Sequence, residues 1–502
     1  MHASTRRLIA AGTGLSLLFV TTALSAQDSR RDEFYFLGEL NKASAVMVVE
    51  QGIVPRPLGK TIADAVVQVL ADGDKPGAKR SGNYLDVEPL LLKAGGPDVS
   101  RIHSGRSRQD IGATSRRLFQ RDQVLATFAK INETRAALLD LAAKHPNAIV
   151  PAYTQSVQAQ PISFGHYMLA YTEVFERNAE RLRQAYAKVN QSPLGSAALG
   201  TSSFPVSRPR LAALMGFDGV IENSLDANQL SPIDTGVELI GVAAAFALTA
   251  GQFLSDVEAQ YRMTTPWLLI AEGDLTGTSS IMPQKRNPSG LNNTRIRASE
   301  VLGTATSYLF VAHNVPHGVA DYKGNEPRNA LRALGRMMDD LRDLTGELRL
   351  NEKRALDEVN AEYSTTTELA DVLQRDADVP FRIGHHFASE LVTYGRINGL
   401  KASEIPFAEA RRIYTESAKS FEIPNAQLPL TEAAFRTSLS AEGMVQASKG
   451  LGGPQPAEVS RMLQRQRAQL EVDRAWVTQS KGRLDQATAA RQAAFEQLRS
   501  LQ

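Results

Sequence analysis

Apolar residues recur at intervals of three and four positions along most of the chain. This spacing puts them on one face of an α-helix, so it predicts long helices that each bury one stripe of side chains. Alternation with a period of two, which is typical of strands, is not sustained in any segment. The pattern therefore predicts an all-α protein. The two clearest series are Phe164, Met168, Tyr171, Phe175, Ala179 and Leu182, and Leu331, Leu334, Met338, Leu341, Leu344 and Leu348.

Proline and glycine divide this helical pattern, because both residues favour turns and loops. They cluster at residues 54–57, 95–97, 191–210 and 450–456. The uncharged stretch from Leu239 to Ser255 is short and Ala-rich, so we expect a buried helix there rather than a membrane span. The last segment, Ala457 to Gln502, has no Pro and is rich in charged residues, Gln and Ala. It predicts one or two solvent-exposed helices.

The first 26 residues have the features of a secretory signal. Arg6 and Arg7 precede an uncharged run from Leu8 to Gln27, and small residues at 23–26 offer a cleavage site. The start also matches a twin-arginine signal loosely. An uncleaved anchor helix is the alternative, although the run is barely long enough to span a bilayer. We expect a periplasmic or secreted protein that is free of the membrane once the signal is removed.

Composition excludes several classes of protein. The chain has 502 residues, with 56 Lys and Arg against 54 Asp and Glu. This balance argues against a nucleic-acid-binding protein, which would carry a strong basic excess. The absence of Cys excludes disulfides, thiolate metal sites and a cysteine nucleophile. The eight His residues show no spacing typical of metal ligands, so no metal site is expected.

Two polar segments interrupt the first half of the helical pattern. Residues 103–110 combine two arginines, a Gly and several hydroxyl and amide groups just before a predicted helix. They fit a carboxylate-binding clamp, but also an ordinary helix N-terminus. Residues 153–161 are dense in neutral hydrogen-bond donors and acceptors. They fit a substrate pocket, but also a capping turn.

A third polar segment, residues 276–288, is the most informative. Gly and small hydroxyl residues suit a mobile loop, and Lys285 and Asn287 follow at short distance. Such a loop is able to bring a Ser, a cation and an amide to one anion. A plain surface loop is the alternative. The apolar Ile281 and Met282 inside this polar stretch argue against it.

The third segment resembles the signature G-S-S-x-M-P-x-K-x-N of the fumarase/aspartase superfamily, with Thr278 in place of the first Gly. The other two segments resemble H-T-G-R-S-R-N-D and Y-T-H-L-Q-R-A-Q-P of its argininosuccinate lyase branch. Shorter matches extend the resemblance over most of the mature chain, in the order of the branch. They lie at residues 193–196, 223–227, 368–371, 379–382 and 452–456.

The resemblance implies a three-domain, all-α subunit whose central domain is a bundle of long helices. The predicted boundaries are 27–120 for an N-terminal helical domain, 121–365 for the bundle and 366–502 for a C-terminal helical domain. It further implies a homotetramer in which three subunits contribute to each active site. The implied reaction is an elimination that releases fumarate, with neither a metal nor an organic cofactor.

The resemblance also assigns site residues. Ser279 takes the Cβ proton, and Lys285 and Asn287 face the carboxylate on which negative charge develops. Arg108 and Gln109 hold the succinyl carboxylates together with residues of the other segments. The complete set of expected substrate-binding residues is Arg108, Gln109, Thr154, Gln155, Gln160, Ser280, Asn287 and Tyr322.

Departures from the branch concentrate on the amine side of the substrate. Gln155 stands where the branch has a His that is usually assigned to protonating the leaving nitrogen, and Asn292 stands where it has the Glu that orients this His. Glu88, Gln109 and Asn325 depart as well. The residues expected to act on the fumarate part of the substrate are therefore kept, whereas those expected at its amine part differ from the branch.

These observations predict a carbon–nitrogen lyase that cleaves an N-substituted aspartate, preferably an N-alkyl or N-(aminoalkyl) aspartate, into fumarate and an amine. One alternative is an authentic argininosuccinate lyase. Another is a catalytically silent family member that acts as a periplasmic binding or structural protein. The intact Ser279, Lys285 and Asn287 argue against the silent protein, which has no need for them.

Overall fold

The computed structural model describes residues 31–423 and 425–500, apart from the side chain of Tyr322. The predicted signal at 1–26 lies outside the described residues. Within them, the helices are α1 (Glu33–Glu50), α2 (Arg56–Gly73), α3 (Tyr84–Gly95), α4 (Arg108–Lys144), α5 (Phe164–Val189), α6 (Arg208–Leu214), α7 (Ser231–Gln260), α8 (Ser289–Ala312), α9 (Glu326–Glu347), α10 (Glu352–Ala361), α11 (Thr366–Ala377), α12 (Phe381–Asn398), α13 (Phe407–Lys419), α14 (Glu432–Ser438), α15 (Ala441–Ala447) and α16 (Pro456–Arg499).

In the described part of the chain, strands form only short two-stranded pairs, so the predicted all-α fold is confirmed. Three pairs are antiparallel: β1 (Ile149–Thr154) with β2 (Val157–Ser163), β5 (Leu268–Ile270) with β8 (Leu348–Leu350), and β6 (Gly277–Thr278) with β7 (Arg286–Asn287). The fourth pair, β3 (Gln191–Ser192) with β4 (Gly219–Val220), is parallel. Two of the antiparallel pairs, β1–β2 and β6–β7, lie in the second and third polar segments.

The central core is a bundle built mainly from α4, α5, α7, α8 and α9, as predicted. Both predicted apolar series face this core, and all their members except Tyr171 are buried. The apolar run at 239–255 belongs to α7. It lies in a segment, Asp226–Gln260, that is long and apolar enough to cross a membrane, but 56% of the apolar window is buried inside the protein. The packing of α7 agrees with the predicted core helix.

The bundle has two ends that matter for the site. The end where α4 begins is called the proximal end, and the end where the β1–β2 hairpin follows α4 is called the hairpin end. Arg117 of α4 donates to Ser231 Oγ at the start of α7 at 2.8 Å, which places that start near the proximal end. Farther along α4, Thr127 donates to the carbonyl of Leu331 at 3.1 Å. Thr134 then donates to the carbonyl of Met338 at 2.7 Å. Contacts therefore advance in the same direction along both helices, and α9 runs parallel to α4. The β5–β8 pair, at the end of α9, therefore lies at the hairpin end.

Two further cores flank the bundle. The N-terminal core joins α1, α2 and α3 to residues 194–217. The C-terminal core joins helices α11–α14 and the loops between them. Residues 457–499 form one helix, α16, rather than two. Its Leu470 and Val477 pack in the central core, and its Phe495 and Leu498 pack in the N-terminal core. The predicted domain boundaries stay a prediction, but α16, which they group with 366–456, packs in the other two cores.

Candidate active site

The first polar segment turns into α4 with one arginine inside the protein and the other outside. Arg106 is buried, and its Nη1 donates to Asn41 Oδ1 at 3.0 Å and to Ser44 Oγ at 2.9 Å of α1. Burial and the charge of Arg106 lower the pKa of the neighbouring His103 to about 4. Arg108 is exposed at the first position of α4. Only Arg108 is therefore placed to meet a ligand.

The same segment carries a capping box. Ser107 Oγ accepts from the backbone N–H of Gln109 at 3.3 Å, and Asp110 Oδ1 accepts from the N–H of Ser107 at 2.9 Å. The two expectations for this segment, a helix N-terminus and a carboxylate clamp, are thus compatible. Asp110 was not among the expected site residues. Its spacing from Ser107 is the capping-box spacing, which was a signal present in the sequence.

The second polar segment is the tip of the β1–β2 hairpin, not a capping turn. Gln155 and Ser156 form its two-residue loop with φ of 51° and 63°, the backbone of a type I′ turn without Gly or Asn. Thr154 and Gln155 are exposed at the tip, and Gln160 is exposed on β2. Gln158 fixes the hairpin to the rest of the chain, because its Nε2 donates to Val359 O at 3.1 Å and to Ser364 Oγ at 3.0 Å.

The third polar segment is the β6–β7 ribbon with Ser279, Ser280 and Lys285 in the loop between its strands. Ser279 Oγ accepts from the backbone N–H groups of Met282 at 3.2 Å and Ile281 at 3.4 Å. These two donors stabilise negative charge on Oγ, as a base at this position requires. Ser280 and Lys285 are exposed, and Ile281 is 82% exposed. Ile281 and Met282, the apolar residues of this loop, are therefore not buried inside this subunit.

Asn287 closes the base of the ribbon. Its Nδ2 donates to the carbonyl of Thr278 on β6 at 3.3 Å, and in the register of the ribbon Asn287 itself lies opposite Gly277. Arg286 forms an ion pair with Glu272 at 2.9 Å on the adjoining turn. A hydrogen bond and an ion pair therefore hold the two strands that flank the loop with Ser279 and Lys285. Among the described residues, no group of three or more His, Asp or Glu is placed to hold a metal ion.

One subunit does not bring the three segments together. Arg108 and Gln109 begin α4 and the hairpin follows its end, so 37 residues of helix, about 55 Å, separate them. The ribbon precedes α8, which starts near the hairpin end, because Arg297 of α8 pairs with Asp340 near the end of α9 at 3.4 Å. Within the described part of the chain, no hydrogen bond or ion pair joins one segment to another. A site that contains all three needs more than one subunit.

Tyr322 and Lys323 lie at the proximal end, shortly before α9 begins. Tyr322 lies in the 3-10 turn Asp321–Lys323, and its side chain is outside the described part of the chain. Next to it, Lys323 Nζ donates to Gln109 Oε1 at 2.8 Å. Sequence reasoning did not select Lys323, because 214 positions separate it from Gln109.

Comparison with known proteins is consistent with this arrangement. Residues 96–303 match the lyase family, and residues 363–446 match the argininosuccinate lyase C-terminal family. EDDS lyase in complex with formate is 29% identical and superposes with a TM-score of 0.84 over 93% of this chain and 92% of that chain. A variant of EDDS lyase with bound fumarate gives 29% identity and a TM-score of 0.83 over the same shares.

A more distant structure shares the fold. Fumarate lyase from Mesorhizobium sp. BNC1 is 18% identical, with a TM-score of 0.67 over 86% of this chain and 95% of that chain. The two family matches follow each other in chain order, and the EDDS lyase structures align with nearly the whole chain. The chain therefore belongs to the fumarase/aspartase superfamily, as an argininosuccinate lyase-like member.

Proposed function

We propose that this protein eliminates fumarate from an N-alkyl or N-(aminoalkyl) aspartate and releases the amine. The family and the EDDS lyase structures support a carbon–nitrogen lyase; the substrate class is the proposal. The observation that carries it is the β6–β7 ribbon. It places Ser279, with two N–H donors on its Oγ, in the same loop as the exposed Lys285.

The proposed reaction begins at Cβ. Ser279 Oγ takes the Cβ proton, and the charge that develops on the adjoining carboxylate is neutralised by Lys285. The electron pair of the C–H bond forms the double bond of fumarate while the bond between Cα and nitrogen breaks. The pair of that second bond leaves with the nitrogen.

The residues that differ from the branch at the amine side of the site favour an alkylamine as the leaving group. A secondary alkylammonium already carries its extra proton at neutral pH, because such amines resemble Lys with a pKa around 10. It therefore leaves as a neutral amine without an enzymic acid. In argininosuccinate the charge is spread over the guanidinium, so protonation of the leaving nitrogen gives more help. Gln155 and Asn292, which cannot supply that proton as His and Glu would, are better matched to the alkylamine.

We also propose that the active unit is a homotetramer. The proximal end and the ribbon of one subunit are too far apart to share a substrate, so copies of the chain must complete each other's sites. The outer surfaces of α7 and α8 fit such an assembly. Val237 and Leu248 on α7, and Ile296 and Phe310 on α8, are exposed at helical spacing, with Phe310 at 77%. Apolar faces of this kind are normally covered by a partner.

The location of the protein completes the proposal. The signal-like residues 1–26 support export to the periplasm or beyond, with cleavage near Ser25 or Ala26. N-terminal sequencing of the protein from its native host tests this. A mature chain that starts near Ala26 or Gln27 is expected, whereas an intact Met1 in the cytoplasm contradicts export.

The reaction is tested by measuring fumarate release from a panel of N-substituted aspartates. We expect a higher kcat/KM for ethylenediamine-N,N'-disuccinate than for argininosuccinate. The Ser279→Ala variant is the blank, because it keeps the binding groups and lacks the base. A clear preference for argininosuccinate supports the authentic argininosuccinate lyase instead. A protein that releases fumarate from no member of the panel, yet folds and assembles, supports the silent binding protein.

A further inference from the structure

Lys323 and Gln109 meet at the proximal end from two distant parts of the chain. Lys323 ends the turn that leads into α9, and Gln109 lies in the first turn of α4. The Lys323 Nζ to Gln109 Oε1 distance is 2.8 Å, and both residues are half-buried. The contact fixes one of the expected substrate-binding side chains from outside its own segment.

This hydrogen bond determines which way the Gln109 amide points. An ammonium group has donors only, so the amide atom that faces Lys323 must be the oxygen. The amide NH₂ group is consequently turned away from Lys323. Within the described residues it donates to no acceptor, so it is available to donate to a ligand.

The surroundings of this amide are positive. The exposed Arg108 precedes Gln109, and the N-terminus of α4 adds the partial positive charge of a helix start. Burial and the nearby charge of Arg116 lower the pKa of Lys323. The carboxylates closest in sequence to Lys323 are Asp321, in the same turn, and Glu326, at the start of α9. The carboxylate closest in sequence to Gln109 is the buried Asp110, whose oxygens accept from the backbone N–H groups of Ser107 and Gly195. An outward amide donor beside two cations suits a carboxylate.

We infer that Lys323 belongs to the substrate site as a carboxylate-binding and positioning residue. It holds the Gln109 amide with its N–H groups toward the ligand and, together with Arg108, neutralises one carboxylate of the N-substituted aspartate. The choice of carboxylate ligand rests on the proposed function. The hydrogen bond and the positive surroundings do not depend on it.

Binding of fumarate to the full chain tests this role without requiring turnover. Lys323→Met and Lys323→Gln remove the charge, whereas Lys323→Arg keeps both the charge and the donors. We expect the two neutral variants to raise the Kd of fumarate about tenfold or more, the usual effect of losing a charge-assisted hydrogen bond. The arginine variant should stay close to wild type. Lys353→Met, on exposed α10, is the matched control, because its only described partner is Asp357.

The pH dependence separates a ligand contact from a purely structural role. Fumarate affinity should fall as the pH rises and Lys323 loses its proton, and this fall should begin below the pH expected for an ordinary lysine. In Lys323→Arg the fall should move to higher pH, because a guanidinium keeps its charge. Thermal unfolding of each variant shows that the fold is retained.

Two results overturn the inference: wild-type protein that binds no fumarate, or neutral variants with a wild-type Kd and pH profile. The second result leaves the proposed lyase standing if wild type still releases fumarate. Conversely, Lys323-dependent fumarate binding in a protein that cleaves no N-substituted aspartate supports the Lys323 role and rejects the proposed reaction.

Discussion

Asp110 Oδ2 accepts a hydrogen bond from the backbone N–H of Gly195 at 2.9 Å, 85 positions farther along the chain. Its other oxygen accepts from the N–H of Ser107, the N-cap residue of α4. One fully buried carboxylate thus joins the helix start that carries Arg108 and Gln109 to a loop whose backbone is at positive φ at Gly195. The orientation of the proximal end depends on this side chain.

The first prediction concerns the pH dependence of stability at Asp110. Burial raises the pKa of its carboxyl from 3.8 to about 6. Ionisation of Asp110 therefore opposes folding, so its contribution to stability is greatest below the ordinary pKa. That contribution falls by about 3 kcal/mol as the pH rises from about 4 to above 6. Asp110→Asn cannot ionise and lacks this fall.

Urea unfolding of wild type and Asp110→Asn near pH 4 and near pH 7 measures the effect. The free energy of unfolding of Asp110→Asn, measured relative to wild type, should be higher near pH 7 than near pH 4. Asp357→Asn, on the surface, is the control. A relative stability of Asp110→Asn that does not change with pH contradicts the prediction.

The second prediction tests the base. Ser279→Ala should lower kcat for fumarate release by about 10²–10⁴, the range for one general base, while the fold is kept. Ser500→Ala is a suitable control, because Ser500 is exposed just after α16, away from the proposed interface on α7 and α8, and its hydroxyl donates to Gln497 O at 3.0 Å. Steady-state kinetics with circular dichroism checks both variants. Nearly full activity in Ser279→Ala would show that another group takes the proton.

The third prediction follows from the separation of the segments within one subunit. Arg108→Ala and Ser279→Ala should each be inactive as pure proteins. When they are unfolded together at equal amounts and refolded, about one quarter of the shared sites should receive Arg108 from a Ser279→Ala chain and Ser279 from an Arg108→Ala chain, and regain activity. Activity of the mixture, with light scattering for the mass, is the measurement. An active monomer would refute the shared site.

The helices were predictable from the sequence because each long helix buries one stripe, and the series from Phe164 and Leu331 show that stripe directly. The β1–β2 hairpin was not predictable from the sequence, because its loop residues, Gln155 and Ser156, are not the Gly or Asn that usually marks a type I′ turn. Nor does the sequence tell which arginine of residues 103–110 faces outward. That depends on contacts of Arg106 with α1, more than 60 positions away.

The fourth prediction concerns the way α16 is attached. Arg135 of α4 donates to Asp473 of α16 at 2.5 Å, and both side chains are buried. Arg135→Met should lower the free energy of unfolding by about 3–5 kcal/mol, because among the described ion pairs it leaves the buried Asp473 carboxylate with only the longer, 4.0 Å pair to Arg183. Arg135→Met combined with Asp473→Leu should recover most of this loss. Chemical unfolding of the single and double variants measures the coupling.

The exposed pair of Arg467 and Asp140, at 2.8 Å, provides the control for that cycle. Arg467→Met should change stability by about 0–1 kcal/mol, since ion pairs in water contribute little. If Arg135→Met and Arg467→Met lowered the free energy of unfolding equally, burial of Asp473 would not explain the effect of Arg135→Met.

The last prediction concerns the amine side. Gln155 is exposed at the hairpin tip, and Asn292 lies in the first turn of α8 next to the ribbon, so both are near the hairpin end but on different elements. Gln155→His combined with Asn292→Glu would supply an acid and the carboxylate that orients it. A guanidine leaving group needs that proton more than an alkylammonium, which already carries one. The double variant should therefore raise kcat/KM for argininosuccinate more than for ethylenediamine-N,N'-disuccinate.

Gln155→Asn with Asn292→Gln, which adds no acid, is the matched control. Equal changes for the two substrates would show that proton supply to the leaving nitrogen does not separate them.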